Sequence, residues 1–203
     1  MPADEPYRTV AGPGDARFEI RGSAFVGHVR PARSVEEAES IVGTISTEYA
    51  DATHNVPAYR VRADPLREWA SDAGEPSGSA GKPALNVLQQ EDVENVVAVV
   101  TRYYGGTNLG VGGLARAYGR GVKVALEDAG VVEAVPQESF VVTVAYDDSG
   151  TVRGILESAG EAVAFDATYE ETVAFDVRAP KAAAADLRDR IRSATSGRAS
   201  IEY

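Results

Sequence analysis

Residues 95–130 read NVVAVVTRYYGGTNLGVGGLARAYGRGVKVALEDAG, and this stretch joins a strand pattern to a helix pattern. Residues 96–100 form a continuous apolar run that is too short for an ordinary helix and lacks the alternation of a half-solvated strand. We therefore predict a strand that is buried on both faces in the middle of a sheet. From residue 111 the apolar positions follow helical spacing, which predicts a helix packed on a core and ended by Gly130. They are Val111, Leu114, Ala115, Tyr118, Val122, Ala125, Leu126 and Ala129.

Glycines fill the segment between these two elements and continue into the helix. Each glycine inside a helix costs about 1 kcal/mol relative to alanine, so another factor must favour them. Two explanations stay open. The helix packs closely on its sheet, or bare backbone N–H groups at the helix start form a nest for an anion, with Arg102 or Arg116 supplying the charge.

Two nucleotide-binding motifs are only partly present. GVGGLA at residues 110–115 fits GxGxxA, but it lies several residues after the strand, whereas the dinucleotide fingerprint places its first glycine directly after the strand. Gly81-Lys82-Pro83 resembles the end of a Walker A loop, but Pro83 replaces the hydroxyl residue that holds magnesium. We therefore expect no cofactor.

The composition argues against several other classes of site. The chain has no cysteine and two histidines, His28 and His54, so thiolate chemistry is excluded and a metal site is not expected. Neither a signal peptide nor a membrane span is predicted, because the N-terminus lacks a basic region followed by an apolar one and apolar runs are short. We expect a cytoplasmic protein without membrane contact.

The net charge of −11 and the three lysines indicate an acidic surface adapted to a salty, halophilic cytosol. Such a surface argues against broad nucleic-acid binding, which needs clustered basic side chains. Because salt screens the self-repulsion of an acidic surface, the melting temperature is expected to rise across a salt series.

The chain before residue 95 contains five stretches with distinct patterns. Residues 1–16 predict a mobile lead-in, and residues 18–29 predict strand structure. A capping box formed by Ser34 and Glu37 begins the first helix. Residues 51–62 predict a turn and a strand with His54 and Asn55 at its mouth, and residues 71–83 form either a linker or a functional loop.

Three motifs in this order and spacing resemble the IMPACT family, whose prokaryotic members include the YigZ proteins. They are ATHNVPAYRV, SDAGEPSGSAGKPAL and VVAVVTRYYGGTNLGVGGLARAYG. The resemblance implies an N-terminal α/β domain like the second domain of ribosomal protein S5, followed by a ferredoxin-like domain, and it implies no established catalytic activity. The eukaryotic relatives regulate translation by competing for the protein that activates the starvation-sensing initiation-factor kinase, and nucleic-acid binding is the hypothesis for bacterial members. By position, the family's cleft falls on His54, Asn55, Tyr59, Glu75, Ser77, Lys82, Arg102, Tyr103, Gly105, Gly106 and Arg116, which are binding candidates.

The chain departs from the family pattern at three positions. The cysteine after the His-Asn pair is Val56, a basic residue in the glycine loop is Asn108, and an acidic residue before Gly74 is Ala73. These changes exclude a thiol role, remove one phosphate-binding charge and weaken a proposal of paired carboxylates. Nucleic-acid binding is therefore a weaker expectation for this chain than for its relatives.

A second apolar pattern begins after residue 136 and has the order βαββαβ of a ferredoxin-like unit. We therefore predict two domains, 1–136, ordered from about residue 17, and 137–203. The open face of the second sheet is predicted to carry three acids, Asp166, Asp176 and Glu202, and no aromatic residue. RNA recognition by stacking on that face is therefore not expected.

The leading hypothesis is a non-enzymatic protein that acts in translation or its regulation by binding a ribosomal, RNA or protein partner through the cleft of the N-terminal domain. The rival hypothesis is an enzyme acting on a small anionic substrate, with His54 or Glu75 as acid–base and residues 105–113 as anion cradle. One enclosed pocket around His54, Glu75, Lys82 and Arg102 would favour the enzyme, and a shallow open groove would favour partner binding. The sequence leaves the identity of the partner and the oligomeric state open.

We also predict that Arg102, Lys82 and the turn at Gly105 and Gly106 form one anion-accepting site. Arg102 directly follows the buried strand, so its side chain should emerge at the carboxyl end of the sheet. In the alternative interpretation, Arg102 pairs with an acid such as Glu75 and holds two loops together.

Overall fold

The structure is a computed structural model that describes residues 4–203. The chain folds into two compact units, Tyr7–Ala134 and Val135–Tyr203, and residues 4–6 group with the second unit. Each unit has its own apolar core. The prediction that 1–136 and 137–203 fold independently stays a prediction.

The first unit is built on a five-stranded antiparallel sheet with the strand order β2-β3-β6-β4-β5. The valine-rich strand lies in the middle of this sheet, as predicted, and residues 96–102 are all buried. In chain order the elements are β1 (Tyr7–Val10), β2 (Gly14–Ile20), β3 (Ser23–Pro31), α1 (Val35–Glu48), β4 (His54–Val61), β5 (Arg67–Ala70), α2 (Gly81–Gln90), β6 (Val96–Tyr103), α3 (Val111–Ala129) and β7 (Val131–Ala134).

Helices cover both faces of this sheet. The helices α2 and α3 pack on one face, where Ala98, Val100 and Tyr118 belong to the same buried cluster. Helix α1 packs on the other face, where Val97 and Tyr59 are buried. Burial on both faces explains why β6 reads as an unbroken apolar run.

Close helix–sheet packing explains one of the glycines inside α3. A Cβ built at Gly27 of β3 would lie 2.2 Å from the carbonyl oxygen of Gly121, and a Cβ at Gly121 would lie 2.9 Å from a Val100 methyl. At Gly112 a Cβ would meet only the end of the Arg116 side chain, at 3.5 Å. Packing therefore accounts for Gly121 but leaves Gly112 unexplained.

The predicted lead-in over residues 1–16 is wrong for most of its length. Strand β1 pairs antiparallel with β7, so that Tyr7 lies opposite Ala134, and β2 already begins at Gly14. Residues 1–3 lie outside the described residues. The partner of β1 is more than a hundred residues away in the sequence, so no local pattern in residues 7–10 could indicate the pairing.

The second unit has the predicted ferredoxin-like order. Its elements are β8 (Gln137–Val144), α4 (Tyr146–Ser158), β9 (Ala164–Tyr169), β10 (Val173–Pro180), α5 (Lys181–Ala194) and β11 (Ser200–Glu202). The strands form an antiparallel sheet with the order β11-β8-β10-β9, and the predicted fold class is confirmed. Asp166, Asp176 and Glu202 are exposed, as expected for the open face.

Candidate functional site

The pairing of β4 with β6 places His54 directly opposite Arg102, on the face covered by α2 and α3. Both side chains meet Glu75, which the loop before α2 delivers to the same place. One carboxylate oxygen, Oε1 of Glu75, accepts a hydrogen bond from Arg102 Nη1 at 2.5 Å and another from the Tyr118 hydroxyl at 2.7 Å. The Nε2 atom of His54 lies 3.8 Å from the same oxygen. The structure thus brings three predicted site residues together and adds Tyr118.

Arg102 is held from several sides at once. It is 4% exposed and Glu75 is 8% exposed, so their ion pair is buried. The guanidinium of Arg102 lies 5.6 Å from the ring centre of Phe25 and 5.3 Å from that of Tyr104, while Nη2 donates to Ser23 Oγ at 3.4 Å. Removing one partner of a buried ion pair is strongly destabilising. These contacts favour the alternative interpretation, in which Arg102 holds loops together.

Tyr118 serves this cluster as a hydrogen-bond donor. Burial raises the pKa of its hydroxyl, and the hydrogen bond to the Glu75 carboxylate raises it further. The hydroxyl therefore keeps its proton at neutral pH, so Tyr118 supports the carboxylate and is unsuited to act as a general base.

His54 is also fixed by the loop before α2. Its Nδ1 atom lies 2.9 Å from the carbonyl oxygen of Ala73. Because a carbonyl oxygen only accepts, Nδ1 carries the proton, and Nε2 is the atom that faces Glu75. At 3.8 Å this approach is too long for a hydrogen bond, so His54 borders the buried pair without joining it.

The loop before α2 is anchored by Asp72. Its carboxylate accepts backbone hydrogen bonds from Gly78 at 2.7 Å, Ala80 at 3.0 Å and Gly81 at 2.8 Å. Burial acts to raise the pKa of Asp72, but these three N–H groups hold it below its usual value. The backbone donors of Ala80 and Gly81 at the start of α2 are therefore occupied by the chain's own carboxylate.

Three other predicted site residues face the opposite side of the sheet. Successive side chains of a strand point to opposite faces, so Asn55 and Tyr103 cannot join the cluster of His54 and Arg102. Asn55 accepts from the Thr101 hydroxyl at 2.6 Å, and the Tyr103 hydroxyl donates to Asp51 at 2.9 Å. Tyr59 lies further along β4 and stacks on Trp69, with ring centres 5.5 Å apart. The predicted cleft is thus split between two faces.

Gly105 is required by the backbone rather than by a ligand. A Cβ at this position would lie 1.9 Å from the carbonyl carbon of Gly22, in the turn between β2 and β3. Its own N–H donates to Ser23 Oγ at 3.1 Å. Gly106 follows with a positive φ of 82° and open space around it. The glycine loop is therefore fixed at its first glycine and exposed beyond it.

The start of α3 is more exposed than the start of α2, where Ala80 and Gly81 are buried. In α3, Gly110 is the N-cap, no side chain within residues 4–203 caps the helix, and the first turn contains no acidic residue. Val111 is 59% exposed, and Gly112 and Arg116 are also exposed. We call Gly110, Val111, Gly112, Gly113 and Arg116 the open start of α3. Of the remaining predicted residues, Ser77 and Lys82 are exposed on the loop and first turn of α2.

One sequence signal near this site was missed. Residues 95–126 contain no aspartate or glutamate, although the chain carries a net charge of −11. The same stretch contains Arg102, Arg116, Arg120 and Lys123. Arg102 is buried, and the other three are exposed along α3. A count of charge along the sequence would have identified this locally basic helix.

Two further features are absent from the described residues, 4–203. These residues contain no group of three or more histidine, cysteine, aspartate or glutamate side chains arranged to hold a metal ion. They also contain no helix that is long and apolar enough to cross a membrane.

Comparisons with known proteins match both units of the chain. Residues 21–126 match the family described as the Impact N-terminal domain, and residues 142–198 match the domain of unknown function DUF1949. A crystal structure of a hypothetical protein is 30% identical, covers 98% of this chain and 97% of its own, and gives a TM-score of 0.71.

Two bacterial proteins are similar in sequence. The IMPACT family member YvyE of Bacillus subtilis is 42% identical over 127 residues, which are 63% of this chain and 58% of that protein. The IMPACT family member YigZ of Escherichia coli is 35% identical over 154 residues, 75% of this chain and 76% of that protein. With the family match over most of its first unit and this likeness along its length, the chain belongs to the IMPACT family.

Proposed function

We propose that this chain is a non-enzymatic cytoplasmic protein that acts in translation or its regulation by binding a ribosomal, RNA or protein partner through its first unit. Family membership supports the link to translation, because the eukaryotic relatives are expected to regulate translation by competing for the protein that activates the starvation-sensing initiation-factor kinase. The first unit carries the predicted binding residues and matches the Impact N-terminal domain.

The open start of α3 is the observation that carries the proposal. Backbone N–H groups at an uncapped helix start attract negative charge, and no acidic side chain of the first turn competes for them. Arg116 lies beside these donors, and the segment is free of acids over residues 95–126. The exposed side chains of Tyr104 and Val111 add apolar area to the same loop. These features suit an anionic partner.

The buried cluster contributes to this surface indirectly. Arg102, Glu75 and Tyr118 fix the loop before α2, and Ser23 joins Arg102 to the backbone of Gly105. They thereby set the position from which the glycine loop leaves the sheet. We propose that Lys82 and Arg116 supply the exposed charge, and that Arg102 supplies rigidity.

The rival hypothesis of an enzyme has weaker support. A general base must reach the proton that it removes. Glu75 is 8% exposed, and its Oε1 atom is engaged by both Arg102 and Tyr118. His54 and Glu75 thus form an arrangement that favours structural support over acid–base work on a substrate.

Cosedimentation with purified ribosomes, alongside affinity capture from lysate at native salt, tests the proposal. The informative variant is Lys82→Gln with Arg116→Gln, because both side chains are exposed. The matched control, Arg178→Gln with Arg190→Gln, removes the same charge from the second unit. We expect the wild type and the control to bind and the first variant to lose binding. Equal loss in both variants, or a wild type that captures nothing from either source, would contradict the proposal.

A further inference from the structure

Two similar tripeptides meet on the surface of the second unit. Tyr146-Asp147-Asp148 begins α4, and Tyr169-Glu170-Glu171 ends β9 and enters the bend before β10. The two tyrosine rings lie 6.4 Å apart with an interplanar angle of 38°. They are 52% and 53% exposed, so each offers much of its surface to solvent. We call them the tyrosine pair.

Hydrogen bonds hold both rings of the tyrosine pair in place. The Tyr146 hydroxyl donates to the carbonyl oxygen of Glu170 at 2.8 Å, and Arg153 Nη2 donates to the Tyr169 hydroxyl at 2.7 Å. Arg153 is itself placed over the Phe165 ring, 5.6 Å from its centre. A partner would therefore meet rings that are already ordered, which lowers the entropic cost of binding.

The residues in the bend after Tyr169 are not those that tight turns favour. Tight hairpin turns favour glycine, asparagine or aspartate, and this one carries Glu170 and Glu171. Both glutamates are exposed, and neither takes part in an ion pair with any residue from 4 to 203. Asp148, by contrast, is held by two hydrogen bonds from Arg198. Uncommitted carboxylates thus border the tyrosine pair.

We propose that the tyrosine pair binds an arginine or lysine side chain of a basic protein segment. The negative face of a tyrosine ring attracts a cation, and the neighbouring carboxylates of Asp147, Glu170 and Glu171 add to that attraction. Tyrosine and arginine are enriched among the residues that dominate protein interfaces. The same carboxylates repel a phosphate backbone, so nucleic acid does not fit this surface. The proposal concerns the second unit and is independent of the surface proposed on the first.

A labelled peptide of about ten residues with alternating arginine and serine provides the probe, measured by fluorescence anisotropy with the full chain at low and high salt. Tyr146→Ala with Tyr169→Ala should weaken binding at least about fivefold, because each ring supplies a cation–π contact. The control Tyr203→Ala removes an exposed tyrosine of the same unit, 80% exposed, and should bind as the wild type does.

A second pair of variants keeps the test valid if the tyrosine variant folds poorly. Glu170→Gln with Glu171→Gln should weaken binding, whereas Glu161→Gln with Asp186→Asn, which removes the same charge elsewhere in the unit, should not. Equal effects of both charge variants would mean attraction by net charge alone and would overturn the proposal. Unchanged binding in the tyrosine variant, or a single-stranded RNA probe that binds through the tyrosine pair, would also overturn it.

Discussion

Helices α2 and α3 begin in glycine-containing segments of the same unit, yet their starts are occupied differently. At α2 the carboxylate of Asp72 accepts from three backbone N–H groups of Gly78, Ala80 and Gly81. At α3 no side chain of residues 4–203 caps the helix, Val111 and Gly112 are exposed, and the first turn contains no acid. One helix start is closed by the chain itself, and the other is open.

The difference shows that small residues before a helix can provide backbone donors for the chain's own loop or for a partner. Small residues before a helix predict accessible backbone donors in both places. At α2 those donors stabilise the loop that delivers Glu75 to the buried cluster, whereas at α3 we propose that they bind a partner.

The largest expected effect concerns the buried cluster. Arg102→Ala leaves Glu75 as an unpaired buried carboxylate and should lower the free energy of unfolding by about 3–5 kcal/mol. The control Arg116→Ala, at an exposed position in the open start of α3, should change it by less than about 0.5 kcal/mol. Urea denaturation measures both. A stable Arg102→Ala variant would show that the ion pair does not hold the loops.

Loss of the Asp72 hydrogen bonds at the start of α2 should destabilise the chain less than loss of the buried ion pair. Asp72→Ala removes three backbone hydrogen bonds and should cost about 1–2 kcal/mol at neutral pH. The exposed acid Glu127, near the end of α3 and away from the Asp72 contacts, provides a control as Glu127→Ala. A loss no larger than that of the control would mean that the Asp72 contacts do not stabilise the loop.

The Asp72 contribution should also depend on pH. Its folded-state pKa is lowered, so the folded chain binds this proton more weakly than the unfolded chain does. The stabilisation is then fully present above the ordinary aspartate pKa of about 3.9 and is lost as the pH falls through the lower folded-state pKa. The stability difference between the wild type and Asp72→Asn should therefore shrink in acid. A difference that grows instead would reverse the assignment.

At α3 a small increase in the free energy of unfolding is expected, in contrast to the losses above. Val111→Glu places an acid in the first turn and should stabilise the helix by about 0.3–1 kcal/mol through its dipole. The same change should abolish binding of the anionic partner. Val132→Glu on β7, at another exposed valine, controls for the added charge. Retained binding in Val111→Glu would remove the open start of α3 from the proposed surface.

The smallest change is expected when the units are separated. Because each has its own apolar core, residues 1–136 and 137–203 should each fold alone, and 1–136 should keep both helix starts as they are. Circular dichroism and thermal melting of the two fragments test this. Failure of both fragments to fold would contradict the two-domain prediction.

The elements with strong periodicity could be predicted from the sequence. Strand β6 was identified by its apolar run and α3 by its stripe, because both signals are local. The pairing of Tyr7 with Ala134 was not predictable, since nothing near Tyr7 indicates a partner so distant in sequence. The expectation that the Arg102 side chain emerges at one carboxyl end of the sheet was also wrong. The sheet is antiparallel, so the carboxyl ends of neighbouring strands lie at opposite edges.

The candidate site was harder to predict than the fold. Glu75 lies in a segment of turn formers that reads as solvated, and only the tertiary structure buries it beside Arg102 and Tyr118. The family resemblance placed His54 and Asn55 in one cleft, although neighbouring residues on a strand face opposite sides of the sheet. Sequence can identify such residues, but the faces follow only when the strand and its register are known.

An amide NMR titration of the ¹⁵N-labelled chain with inorganic phosphate tests the contrast between the two helix starts most directly. The account predicts saturable shifts for the amides of Val111, Gly112 and Gly113, and their loss in Val111→Glu. It predicts no shift for Gly78, Ala80 and Gly81, because the carboxylate of Asp72 already occupies those donors. Shifts at the α2 amides with the α3 amides unmoved would contradict it.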